Sequence, residues 1–239
     1  MPAAYMSMGE TAENVGREYE ISREDQEVFA VASQRKAGEA QANGRLSDEI
    51  IPIEVNGNTI DADGCLRPTT DLEGLAGLKL AFDENGTVTA GTASPLTDGA
   101  AATLVCSLEY ANANGLKPMA RIASIAVSGC KPETMGLGPI FSSRKALSRA
   151  GIGAQDLDVI EINEAFATQS IASIRDLELD TAKVNIDGGA IAIGHPLGAT
   201  GARITGKAAQ VLQREGGRYA LSTQCIGGGQ GIATVLEAA

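Results

Sequence analysis

The chain has 239 residues, enough for one large domain or two small ones with an ample core. Its 44% apolar and 21% charged content is that of an ordinary globular protein, and a net charge of −11 argues against a nucleic-acid surface while leaving room for a local basic pocket. Aromatics are only 3%, with no Trp, and no apolar run reaches membrane-span length, so the expectation is a cytoplasmic protein whose core is Ala, Ile, Leu and Val.

Thr11 to Tyr19 has the spacing of an amphipathic helix. Ser22, followed three residues later by Asp25, opens a second that runs to about Ala42, where Asn43-Gly44 stops it. Residues 46 to 60 alternate as short strands, and Asp61 to Leu80 is irregular. Gly86 to Gly115 reads as a short strand, a polar turn and an Ala-rich helix from about Asp98 to Asn112. After Lys117 strands and helices alternate: ARIASIAVSG, SSRKALSRAG, DLDVIEI, NEAFATQSIASIRDL, AKVNI, a histidine turn, a helix to about Arg214, and the closing strands RYALSTQ and GIATVLEA. Such alternation predicts a layered α/β sheet covered by helices, with the last two strands as antiparallel neighbours.

Two glycine-dense stretches carry the chemistry. GGAIAIGHPLGATGAR (Gly188 to Arg203) holds His195, the only histidine, and QCIGGGQG (Gln224 to Gly231) holds Cys225. A lone histidine is more often structural than catalytic. Here Gly194 and Pro196 fix its backbone, and a helix N-terminus beside it favours the neutral, proton-accepting form. Cys225 is either a small core residue or an acid/base thiol, with Gly227 to Gly229 offering backbone N–H groups to an oxyanion. Asn163 reads as an N-cap or as an amide that holds a water, and Glu164 fits a helix dipole or a buried place near the site.

Three features point elsewhere. The four cysteines, Cys65, Cys106, Cys130 and Cys225, form no CxxC pair, which suits reduced thiols and no zinc site. GARITGKA (Gly201 to Ala208) is one residue from a phosphate loop, but Ala208 lacks the hydroxyl and the segment is read as helix surface. Cys106 is read as a core residue late in the Ala-rich helix.

With Asn163-Glu164-Ala165-Phe166, Gly194-His195-Pro196 and Cys225-Ile226-Gly227-Gly228-Gly229 in this order, the chain strongly resembles the thiolases, and GTVTAGTASPLTDGAAA extends the resemblance along its length. The resemblance implies a layered α/β/α fold, CoA-dependent cleavage of 3-ketoacyl-CoA or the reverse condensation, and no cofactor besides CoA as substrate. Gly129-Cys130 with MGLGPI, and the closing GGQGIATV, point to the degradative enzymes of fatty-acid β-oxidation rather than the acetoacetyl-CoA-forming ones.

By motif, His195 would be the base that activates a nucleophilic thiol, and Cys225 the acid/base cysteine. Asn163 would position a water in one oxyanion hole, and the Gly227 N–H would serve the other. Ser94, Arg67, Ala165 and Phe166 would bind CoA or substrate. Thiolysis asks for an activated thiolate, a proton donor of pKa near neutrality and fixed donors for two oxyanions.

The family's acyl-accepting cysteine, in a Cys-Gly/Ser-Ser/Gly turn, has no match, and Gly74 and Leu78-Lys79-Leu80 also depart from the family pattern. The expectation is therefore a partial loop domain over 1–85, the last strand and helix of an incomplete first half over 86–116, and a C-terminal domain over 117–239. The chain alone would be inactive, with Gly86 to Gly115 short of neighbours. Expected partners are CoA thioesters, a homodimer or homotetramer, and a β-oxidation subunit or separate N-terminal segment. The alternatives are a non-catalytic CoA-binding protein and, through GARITGKA, a nucleotide-binding one.

Overall fold

A computed structural model describes residues 3–239. Helices α1 (Met8–Glu18) and α2 (Arg23–Ala42) each open on a serine capping box. In α2, Ser22 Oγ accepts from the Asp25 N–H at 3.0 Å and the Asp25 carboxylate accepts from the Ser22 N–H at 3.2 Å. The box satisfies donors that a helix start leaves open. Asn43 caps the far end and Gly44 turns the chain at φ +73°.

A surface hairpin follows, β1 (Ile53–Val55) against β2 (Asn58–Ile60), and α3 (Leu72–Ala76) is a single turn within the irregular stretch. The stretch Gly86–Gly115, expected to lose its neighbours, divides in two. Residues 86–95 are well packed: the buried Glu13 carboxylate accepts from the Thr87 and Val88 N–H groups at 2.9 Å, and Val88 is fully buried. Residues 98–107 are exposed and form no regular structure, and only Leu108–Ala113 (α4), capped by Ser107, is helical.

The helix expected over 98–112 is thus corrected. A short helix needs a packed face, and these residues have none, so the Ser107 cap decides where the helix starts. Cys106, expected in a core, is exposed for the same reason.

The second half supplies β3 (Ala120–Gly129), α5 (Gly138–Ala150), β4 (Val159–Ile162), α6 (Ala167–Asp176), α7 (Ala190–Ile193), α8 (Thr200–Glu215), β5 (Tyr219–Ile226) and β6 (Gln230–Ala238). Four strands form one sheet in the order β3-β6-β5-β4, with β4 parallel to β5 and the other pairs antiparallel. The strand expected in AKVNI shrinks to one bridge, Ile160 to Val184, because Asn185 turns the chain at φ +44°.

Side chains alternate across the sheet. Ile160, Ile162, Leu221, Ala233 and Val235 meet α5 and α6 on one face, and Val159, Ala220 and Leu236 meet α8 on the other. This is the layered α/β arrangement expected from the sequence. Two glycines let α5 reach the sheet: a Cβ on Gly138 would run into the Gln230 backbone, and one on Gly231 into that of Gly138. Among the described residues no helix is long and apolar enough to cross a membrane.

Candidate active site

Strands β4 and β5 run side by side, and their carboxyl ends deliver two of the predicted residues together. Asn163 follows β4 and is held by its N–H to the Thr223 carbonyl at 3.0 Å; Cys225 lies two residues beyond Thr223 on β5. The crevice beyond the carboxyl ends of parallel strands is where open α/β sheets place their ligands.

Asn163 does not cap a helix, since α6 starts four residues later at Ala167 with Phe166 in the cap position. Its side-chain Nδ2 instead lies 3.3 Å from His195 Nε2, and its Oδ1 is buried with no hydrogen-bond partner. That free acceptor beside an imidazole is what a bound water or substrate group would complete.

His195 sits in the turn between α7 and α8. Its N–H donates to the Pro95 carbonyl at 3.3 Å, and its Nδ1 lies 2.6 Å from the Thr200 hydroxyl. The helix begins at Thr200 and not at Pro196, whose carbonyl accepts from the Ala199 and Thr200 N–H groups at 2.9 and 3.0 Å. Burial first, and the Arg203 guanidinium second, hold the imidazole below its ordinary value. The neutral form is favoured as expected, but by desolvation rather than by the helix end.

Cys225 packs against the small apolar group formed by Ala12, Val88, Ala165 and Phe166. Burial pushes its thiol up to about 12, reinforced by Cys130 nearby. Where a donor with pKa near neutrality was expected, the thiol is held in its protonated form at neutral pH. The turn after it requires glycine, with Gly228 and Gly229 at φ +85° and +97°. The Gly229 carbonyl accepts from the Cys130 N–H at 2.8 Å, which ties the turn to the end of β3.

Glu164 is fully buried and serves as a strut. Its carboxylate accepts from Ser33 Oγ at 2.6 Å, Asn185 Nδ2 at 2.7 Å and the Ile191 N–H at 3.2 Å, joining α2 to the segment that leads into His195. The remaining predicted residues frame the approach. Ser94 pairs with Ala165 through its N–H and Oγ, at 3.0 and 3.1 Å from the Ala165 carbonyl. Phe166 bridges to Ala93 and meets Phe82 edge-on at 5.9 Å. Arg67 lines an open cleft of about 220 Å³ with Gln34, Cys65, Gly91, Ala93 and Pro95, the last of which accepts the His195 N–H.

Residues that sequence reasoning missed are Thr200, Met8, whose sulfur lies 3.7 Å from where a Gly227 side chain would begin, and Cys130. Thr200 had a signal, a hydroxyl five residues after the histidine at a helix start. Met8 had none, because it comes from a helix more than two hundred positions away.

The chain is similar to known proteins over nearly its whole length. The family model for the thiolase N-terminal domain matches residues 3–109, and that for the thiolase C-terminal domain matches residues 116–238. An acetyl-CoA acetyltransferase of Shinella zoogloeoides is 52% identical over 234 residues, 96% of this chain and 60% of that protein. A 3-ketoacyl-CoA thiolase of Marinobacter nauticus is 51% identical over 96% of this chain and 61% of its own length. In the crystal structure of human mitochondrial 3-ketoacyl-CoA thiolase in complex with CoA, 59% of that chain superposes on 98% of this one with a TM-score of 0.92 at 42% identity. The Bacillus anthracis acetyl-CoA acetyltransferase structure gives a TM-score of 0.95 at 42% identity, covering all of this chain and 61% of its own. The chain thus spans about 60% of the length of the curated relatives it matches.

Proposed function

The chain belongs to the thiolase family, and from that premise we propose that it supplies the base, the acid and an oxyanion site for CoA-dependent acyl transfer, cleaving 3-ketoacyl-CoA to acetyl-CoA and a shortened acyl-CoA or running the reverse condensation. The observation that carries this reading is the contact of Asn163 with His195 just past the carboxyl end of β4, with Cys225 near the carboxyl end of the neighbouring β5. In thiolysis, His195 Nε2 takes the proton of the attacking thiol, and the Cys225 thiol protonates the enolate that leaves as acetyl-CoA. A water positioned by Asn163 serves one oxyanion, and the Gly227 N–H serves the other. Arg67 and Ser94 stand where CoA enters.

Names among the relatives divide between acetyl-CoA acetyltransferase and 3-ketoacyl-CoA thiolase at similar identity. The Gly129-Cys130 and MGLGPI stretch supports the degradative reading in fatty-acid β-oxidation, with acetoacetyl-CoA formation as the alternative. Homo-oligomeric assembly and a cytoplasmic, reducing setting belong to the same proposal, the latter supported by four free thiols.

A second reading, a CoA-binding protein without turnover, has its own support. His195 hydrogen-bonds to Thr200 and Asn163 and not to a cysteine, while Cys106 is exposed and Cys65 lies in the outer cleft. The acyl-accepting thiol is therefore assigned to a segment outside these 239 residues.

The test is thiolysis of acetoacetyl-CoA and of a longer 3-ketoacyl-CoA by the chain alone and by the chain co-expressed with the part of the Shinella enzyme that it does not match. Turnover only in the assembled pair supports the proposal. Turnover by the chain alone would give the acyl group to one of its own cysteines, and an assembled pair that binds CoA without turnover would favour the second reading.

A further inference from the structure

We infer that Thr200 is the positioning residue that fixes the tautomer of His195, holding the proton on Nδ1 and leaving the Nε2 lone pair as the base; the catalytic use of that lone pair rests on the acyl-transfer reading above. Thr200 is the first residue of α8 and is fully buried. Its hydroxyl offers one proton and two lone pairs. The proton is directed at the Pro196 carbonyl, 3.0 Å away and four residues back, a bond that threonine commonly makes within a helical turn. What Oγ1 then presents to His195 Nδ1, at 2.6 Å, is a lone pair. A lone pair calls for an N–H opposite it, so Nδ1 carries the proton.

The other edge of the ring gives the same answer from a different element. Nε2 faces Asn163 Nδ2 at 3.3 Å. An amide nitrogen only donates, so Nε2 accepts. The backbone keeps the ring from seeking other partners: the His195 N–H is tied to Pro95, and Gly194, at φ +97°, is pressed against Thr97 so closely that a Cβ there would collide with it.

The choice of nitrogen matters because a neutral imidazole has a single basic lone pair. With the proton on Nδ1, that pair lies on the side of Asn163, where the reacting thiol must approach. With the proton on Nε2, the same ring would present an N–H to the thiol and could not deprotonate it. Thr200 thus acts through His195 without touching substrate.

His195 is the only histidine in the chain, so ring-nitrogen labelling gives one unambiguous set of signals. Long-range proton–nitrogen correlation spectra of the whole chain, recorded above the imidazole titration, should show Nδ1 protonated in the parent and in Thr200→Ser. In Thr200→Val, which keeps the shape and loses the hydroxyl, the ratio of Nδ1–H to Nε2–H should fall by roughly five- to tenfold, the worth of one hydrogen bond. In the assembled pair, Thr200→Val should lower kcat and leave KM for CoA unchanged, with Thr200→Ser restoring turnover. A parent spectrum dominated by Nε2–H, or an unaltered ratio in a folded Thr200→Val, overturns the assignment. Should Thr200→Val not fold, the parent and Thr200→Ser spectra still decide the tautomer. Because the spectra need no turnover, failure of the acyl-transfer reading would appear separately, as an assembled pair without thiolysis.

Discussion

Two buried carboxyl groups flank Asn163; burial raises both, and they differ in how their oxygens are satisfied. Glu164 has a hydrogen-bond donor on each oxygen; Glu161, on β4, faces α8 with its Oε1 buried and unpartnered. Burial pushes the Glu161 carboxyl up to about 8, and Arg203 and Lys207 oppose this only in part, since the Lys207 ammonium is already engaged by Asp187 at 2.7 Å and Glu49 at 2.8 Å. A carboxyl whose folded value lies above its unfolded value binds more protons folded than unfolded between the two. Stability is therefore fully present below about 4.5 and falls as pH rises towards 8. The loss should be on the order of several kcal/mol, and Glu161→Gln should flatten it. Urea unfolding of both proteins across that range is the check, and parallel curves would remove Glu161 as the cause. The catalytic roles make a second prediction at this scale. In the assembled pair, His195→Ala and Cys225→Ser should each lower turnover by about a hundredfold or more, and near-normal steady-state rates in either would remove that residue from the mechanism.

At the scale of elements, α5 and β6 meet backbone to backbone, where Gly138 and Gly231 leave no room for a side chain. Gly231→Ala should push α5 off the sheet and cost about 1–3 kcal/mol in equilibrium unfolding, while Gly216→Ala, at a φ of +66° in open space beyond α8, should disturb no packing. Elements that depend on local chemistry were legible from sequence. The Ser22 box, the Asn43-Gly44 stop and the alternation after Lys117 all state their structure within a few residues. The 98–112 helix was misread because its composition suits a helix only when something covers it. Lys207, read as helix surface, is 3% exposed because its partners Asp187 and Glu49 come from distant loops. The site was legible as far as it rests on the two glycine-dense stretches around His195 and Cys225 and on the Asn163-Glu164-Ala165-Phe166 motif. Asn163 was half-legible, its local reading as a cap giving way to a contact with a residue 32 positions on. Met8 was not legible at all, since nothing around it marks a helix start as part of a site.

On the scale of the whole molecule, the apolar surface is unevenly distributed. One side carries Leu96 and Leu104 at 86% and 73% exposure, with Val105 and Leu108 beside them. The edge strand β3 adds Ile122, Ile125 and Val127 on the face that α8 leaves largely open. Thr103 Oγ1 donates to the Ala202 carbonyl at 3.2 Å, which ties this segment to the first turn of α8. Residues 98–107 also belong to no strand or helix, so their apolar side chains are exposed with nothing of this chain packed over them. Contiguous exposed apolar surface of this kind drives association. We expect the 239-residue chain alone to self-associate with rising concentration in sedimentation velocity and to bind a hydrophobic dye while its circular dichroism is that of a folded protein. Leu104→Glu with Leu108→Glu should shift it towards monomer without altering Cys225 or His195. If the parent is monomeric and dye-silent at concentrations of about 100 µM, the exposed stretch is covered in solution by a rearrangement of the chain itself, and residues 98–107 should then show protected amides in hydrogen exchange.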